Sequence, residues 1–186
     1  SNNVFKSIFY ISARNGNAHS FIEMIDKGID FSNDAVKIIS TAAKKGFYQL
    51  VQLIYNFINA KSDNLHFYTE HIKSFVSSGN LSIFKFYLQL KHDEIESPFY
   101  TAIENKCTSI IKYYFENIIK EGQFKINRTI VFRALDIAIE KRFYDIFIYL
   151  INCFNNINLY FFNHPKNLDD LLIKVCQNNN FEIANN

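Results

Sequence analysis

The chain has 186 residues, 48% of them hydrophobic, which is enough apolar material for one solenoid or one to two small domains. Its 20 Lys and Arg stand against 18 Asp and Glu, a formal net charge of +2, and the basic residues come as isolated doublets, Lys44-Lys45 and Lys141-Arg142. Neutralising a row of phosphates needs a basic stripe, so nucleic acid and anionic membrane surfaces are not expected partners; nor is membrane insertion, since no run of 18 apolar residues occurs and no signal-peptide pattern is visible.

The remaining composition is lopsided, with 20 Phe, 11 Tyr, 27 Ile and 23 Asn against 5 Gly, 2 Pro and no Trp. Drift in an AT-rich genome accounts for this; selection for an aromatic binding face is the sharper alternative. Cys107, Cys153 and Cys176 lie 46 and 23 residues apart, without a C-x-x-C pair. That spacing is neither a disulfide framework nor a zinc signature, and an odd count points to reduced thiols in a cytoplasm-like compartment. The cysteines read as small core fillers.

Along the chain one pattern recurs: a small or apolar pair, polar residues, a Gly or its substitute, then a short step into an apolar helix. It opens with Ser12-Ala13-Arg14-Asn15-Gly16-Asn17 leading into Phe21-Ile22-Glu23-Met24-Ile25. The second copy is Ala42-Ala43-Lys44-Lys45-Gly46 followed by Phe47-Tyr48-Gln49-Leu50-Val51-Gln52-Leu53-Ile54, and the third is Phe75-Val76-Ser77-Ser78-Gly79 followed by Asn80-Leu81-Ser82-Ile83-Phe84. Ala102-Ile103-Glu104-Asn105-Lys106 and Ala138-Ile139-Glu140-Lys141-Arg142 open the fourth and fifth, and Val175-Cys176-Gln177-Asn178-Asn179 a sixth. The anchors at 16, 46, 79, 106, 142 and 179 are spaced by 30, 33, 27, 36 and 37 residues. Each copy reads as two short antiparallel helices. The first ends at the anchor, where Gly adopts the left-handed conformation at no steric cost. The second carries a helical apolar stripe, as in Leu50-Val51 and Leu53-Ile54, that neighbouring copies must bury.

The stretch Ala42 to Ile54 resembles the core of the ankyrin repeat family, where an Ala-Ala pair and a Gly lead into the second helix. Lys27-Gly28-Ile29-Asp30 is similar to that family's Gly-Ala-Asp ending, and the mean spacing near 33 fits its period. The resemblance runs from about residue 5 to the end. Every copy lacks the family's Thr-Pro-Leu-His opening, and Lys106, Arg142 and Asn179 replace the anchor Gly, so irregular inter-repeat loops are expected. The resemblance implies an all-α, ankyrin-type helix-turn-helix solenoid of about five to six stacked repeats, one domain over residues 1–186. It implies a monomeric protein-protein interaction module. The style is similar to ankyrin proteins of large DNA viruses and intracellular pathogens, which implies a protein partner in a host cell, met on the concave face through connectors and first helices.

The candidate partner-binding residues follow. Phe47-Tyr48 and Phe143-Tyr144 occupy equivalent places just after an anchor. Either one ring of each packs between copies, or the doublets are exposed aromatic anchors of an interface. His66, which ends the connector that starts at Lys61, and Phe67 beside it are further candidates. Tyr160-Phe161-Phe162 stand together in the longest connector, Asn155 to Asn167, where one face cannot bury all three.

No catalytic motif is present: there is no Gly-rich phosphate loop, no G-x-S-x-G and no H-E-x-x-H. His19, His66, His71, His92 and His164 are scattered, and His66 with His71 lacks a third ligand. Asp93-Glu94 and Asp169-Asp170 read as solvated or helix-start charges. The expectation is therefore no enzyme, no cofactor and no metal. Because Phe181 to Ala184 starts another apolar pattern as the sequence stops, a fragment of a longer protein is expected. The alternative reading is a targeting arm of a larger enzyme whose catalytic domain lies elsewhere.

Overall fold

The computed structural model describes residues 2–60, 69–90, 95–157 and residue 173. The chain divides into two compact units, 1–98 and 99–186. In the first lie α1 (Asn2–Asn15), α2 (Ala18–Asp26), a 3-10 turn (Ser32–Asp34), α3 (Ala35–Lys44), α4 (Tyr48–Asn59), α5 (Thr69–Ser77) and α6 (Leu81–Gln89). Helix α7 (Glu96–Glu104) crosses the division; α8 (Thr108–Tyr113), a π-helical turn (Tyr114–Ile119), α9 (Arg128–Glu140) and α10 (Tyr144–Asn156) belong to the second. The protein is all-α, with no strand among the described residues.

The buried stripes account for the helices. In α4 the buried residues are Leu50, Val51, Ile54 and Ile58, and in α9 they include Ile130, Val131, Ala134, Leu135 and Ala138. Steps of one, three and four residues put each set on a single helical face. Small residues sit where helices approach closely: Ala42 and Ala43 in α3, and Ala134 and Ala138 in α9, are all fully buried. In the first unit α1 packs on α3 and α3 on α5, while α2 packs on α4 and α4 on α6, so both rows of helices advance together. In the second, α9 packs on α10.

The turns that join each pair are nearly identical. Gly16, Gly46, Gly79, Lys106 and Arg142 all have φ between 55° and 83°, so every described anchor is left-handed, whether or not it is Gly. The residue after the anchor donates its amide to the carbonyl five residues back around the turn: Asn17 to Ser12, Phe47 to Ala42, Cys107 to Ala102 and Phe143 to Ala138, at 2.8–3.1 Å. The anchor amide itself bonds the carbonyl three residues earlier in Gly46, Gly79, Lys106 and Arg142. This doubly bonded ending satisfies carbonyls that the first helix would otherwise leave open. Gly28 and Gly122 end second helices with the same bonding, through Ile29 to Met24 and Gln123 to Ile118.

Two connectors fold an aromatic ring back against the helix pair that precedes them. Phe31 is buried against Phe9 at 4.7 Å and Phe21 at 5.0 Å between ring centres. Phe124 lies against Phe99 at 5.7 Å and Tyr114 at 6.1 Å. Phe9 and Phe99 hold the same place, seven residues before their anchors. Edge-on and tilted rings of this kind add modestly to the area they bury.

Candidate partner-binding surface

Within each unit the turns stack copy on copy through a residue that follows an anchor: Phe47, Asn80 and Phe143. The Phe47 ring lies on Gly16, so that a Cβ built there would stand 2.7 Å from Cε1 of the ring. Asn80 does the same work with an amide: its Nδ2 donates to the Gly46 carbonyl at 3.0 Å, while its Oδ1 accepts from the Ser82 and Ile83 amides and caps α6. In the second unit the Phe143 ring faces Lys106, whose Nζ stands 5.4 Å from the ring centre and 3.0 Å from Oδ2 of Asp145. Slight burial pushes the Asp145 carboxyl up, but the Lys106 ammonium and the Ile146 amide outweigh it and hold the group below its ordinary range.

Both rings of each doublet are half-buried. Phe47 and Phe143 spend at least one face on the preceding copy. Tyr48 and Tyr144 come next and remain half-buried. Tyr48 meets the edge of Phe86 at 6.3 Å, and Tyr55, one face along α4, meets the same ring at 5.2 Å. Gly16, Ala18, Phe47, Tyr48, Gln49 and Leu50 line an open hollow at this rim. The other sequence candidates, His66, Phe67, Tyr160, Phe161 and Phe162, lie outside the described residues.

Among the described residues no group of three or more His, Cys, Asp or Glu could hold a metal ion, and no helix is long and apolar enough to cross a membrane. His19 is exposed, 3.4 Å from Glu23 one turn along α2. Cys107 is buried beneath the turn before α8. Cys153 is half-buried, and burial, relieved in part by a bond with the Tyr149 hydroxyl and reinforced by the charge of Glu116, holds its thiol above the ordinary range. Burial, then the Cys153 contact, pushes the Tyr149 phenol up as well. A thiol kept protonated this way is a poor nucleophile.

Two features of the rim escape a sequence reading: Asn80 as a clamp between turns, and the Lys106–Asp145 pair beside Phe143. Asn at a helix start signals a cap, and Asn80 fits that rule, but its second bond to Gly46 has no local sequence signature. Comparison with protein-family models, with curated proteins and with solved structures finds no match.

Proposed function

We propose that the chain is a protein-interaction module, an ankyrin-type stack of helix pairs that binds a partner protein and does not turn over a substrate. The observation that carries the reading is the recurring aromatic doublet at the turn rim. At equivalent places in two copies both rings of the doublet are half-buried: the phenylalanine meets the preceding copy, and the tyrosine keeps part of its surface exposed. Tyrosine in that setting offers a large, stiff contact surface with a polar tip, the type of side chain that dominates interface energetics. The spacing of the left-handed turns supports the ankyrin-type part, since five of them recur at 16, 46, 79, 106 and 142 with helix pairs of the expected order between them. Variation concentrates in the connectors, where the aromatic run Tyr160-Phe161-Phe162 extends the proposed contact set.

The test is affinity capture from lysate by the parent chain, by a Tyr48→Ala/Tyr144→Ala variant, and by a Tyr160→Ala/Phe161→Ala/Phe162→Ala variant. Circular dichroism establishes that each still folds. One protein held by the parent and lost from at least one folded variant is the expected result. No specific capture, or capture that neither variant weakens, removes the rim and the long connector as the binding surface.

A further inference from the structure

The described left-handed turns that join each helix pair fall into two groups by charge. Within five residues either side of Gly16, Gly46 and Gly79, all in the first unit, stand Arg14, Lys44 and Lys45 and no Asp or Glu. Around Lys106 and Arg142, in the second unit, the same span sets Lys106, Lys141 and Arg142 against Glu104, Glu140 and Asp145. One of those pairs, Lys106 with Asp145, closes at 3.0 Å. The second rim thus balances its own charge and the first does not, with His19 counted as neutral. In the first unit Asp26, Asp30 and Asp34 lie at the far end of α2 and in the connector beyond it, and Glu23 lies against His19 at 3.4 Å. A cation at a helix C-terminus answers the helix dipole, and Arg14 and Lys44 stand in the last turns of α1 and α3. The dipole does not account for the lack of carboxylates, since α7 and α9 end in Glu104 and Glu140 at the matching place.

Arg14, Lys44 and Lys45 are all exposed, and each lies within three residues of the lining of the rim hollow. The hollow holds about 340 Å³, is open to solvent, and is walled by the Phe47 and Tyr48 rings, Leu50 and the bare backbone of Gly16. We propose that this rim of the first unit takes an acidic peptide segment of the partner protein, with an apolar side chain in the hollow and carboxylates against Arg14, Lys44 and Lys45. The proposal rests on the interaction reading above and names the chemistry of that partner. A peptide supplies both the apolar side chain and the spaced carboxylates. A nucleic acid is the poorer occupant, because three cations neutralise few phosphates and the Gly79 turn adds none. Exposed ion pairs are individually weak and screened by salt, so the hollow anchors the segment and the cations set selectivity and rate of association.

The experiment selects a display library of random peptides on the folded chain and measures the enriched peptides by fluorescence anisotropy. A pool rich in Asp and Glu around an apolar residue is expected. Arg14→Gln/Lys44→Gln/Lys45→Gln is expected to weaken those peptides about 10-fold and Tyr48→Ala about 5-fold, while Lys141→Gln/Arg142→Gln changes binding by less than about twofold. Added salt is expected to weaken binding to the parent chain and to leave the triple variant nearly unchanged. Circular dichroism establishes that each variant folds, and the salt response of the parent needs no variant. Enriched peptides without an acidic bias, binding that salt does not weaken, or acidic peptides held equally by the parent, the triple variant and Tyr48→Ala overturn the proposal and leave the interaction reading standing. A library that enriches nothing overturns both. Single-stranded DNA bound as tightly as the selected peptides, and lost from the triple variant, assigns the rim to nucleic acid and overturns the proposal as well.

Discussion

Gly16 and Gly28 have nearly the same backbone, φ 70° and 72°, and different surroundings. A side chain at Gly28 meets open space, so Gly28→Ala carries only the left-handed penalty of about 1–2 kcal/mol. Gly16→Ala adds a clash with the Phe47 ring, for a total of about 3 kcal/mol or more. Urea midpoints of the two variants measure the difference, and equal midpoints mean that the ring moves aside freely. The reverse change applies to Arg142, an exposed side chain held at φ 57°. Arg142→Gly is expected to stabilise by about 0.5–1 kcal/mol, since relief of strain exceeds the added unfolded-state entropy. Lys106→Gly gains less, because it gives up the Asp145 pair and the Phe143 contact. At Asn80 the two ends of the amide separate cleanly. Asn80→Asp keeps the cap of α6 but sets a carboxylate oxygen against the Gly46 carbonyl, at a cost of about 1–3 kcal/mol in the same assay.

At the level of elements, the rings that plug the connectors are the test of what holds each helix pair together. Phe31→Ala and Phe124→Ala each empty a site walled by other aromatic rings, so a loss of about 3–5 kcal/mol is expected for either, read by chemical denaturation. This contribution was not legible in the sequence, where Phe124 sits in a polar stretch, Glu121 to Asn127, that reads as solvent-facing. The glycine turns were legible, because Gly before an apolar run marks a left-handed ending; at Lys106 and Arg142 the spacing placed an anchor, but the loss of Gly pointed to irregular loops, and the left-handed backbone found there had no signal in the residues themselves. The π-helical turn at Tyr114 to Ile119 was not legible, since nothing in its residues departs from an ordinary apolar stripe. It bears on α10, where Tyr149 and Cys153 sit by Glu116. Both groups are raised in the folded chain, so their stabilising effect is complete below their unfolded values, 9.0 for the thiol and 10.0 for the phenol, and is lost as pH climbs through the folded ones. Stability is therefore expected to fall above about pH 9, and less steeply in Tyr149→Phe.

The scale of the whole molecule is a matter of which helices depend on which. In the first unit α1 rests on α3 and α3 on α5, with α2, α4 and α6 following the same order, so support passes along the row from one copy to the next. A compact core with many mutual contacts would open as a whole; a row opens from its weakened end, because each copy draws its stability from its own helices and its neighbours. Gly16→Ala strikes the turn of the first copy and, through Phe47, the seam to the second. Native-state hydrogen exchange on that variant is expected to show the largest loss of protection in α1 and α2, a smaller loss in α3 and α4, and the least in α5 and α6. An equal loss in all six helices would make the unit a single cooperative core and remove the stack as the basis of its stability. A loss confined to α1 and α2 would mean that the Phe47 seam transmits nothing, although its ring is the closest approach to Gly16 from the second copy.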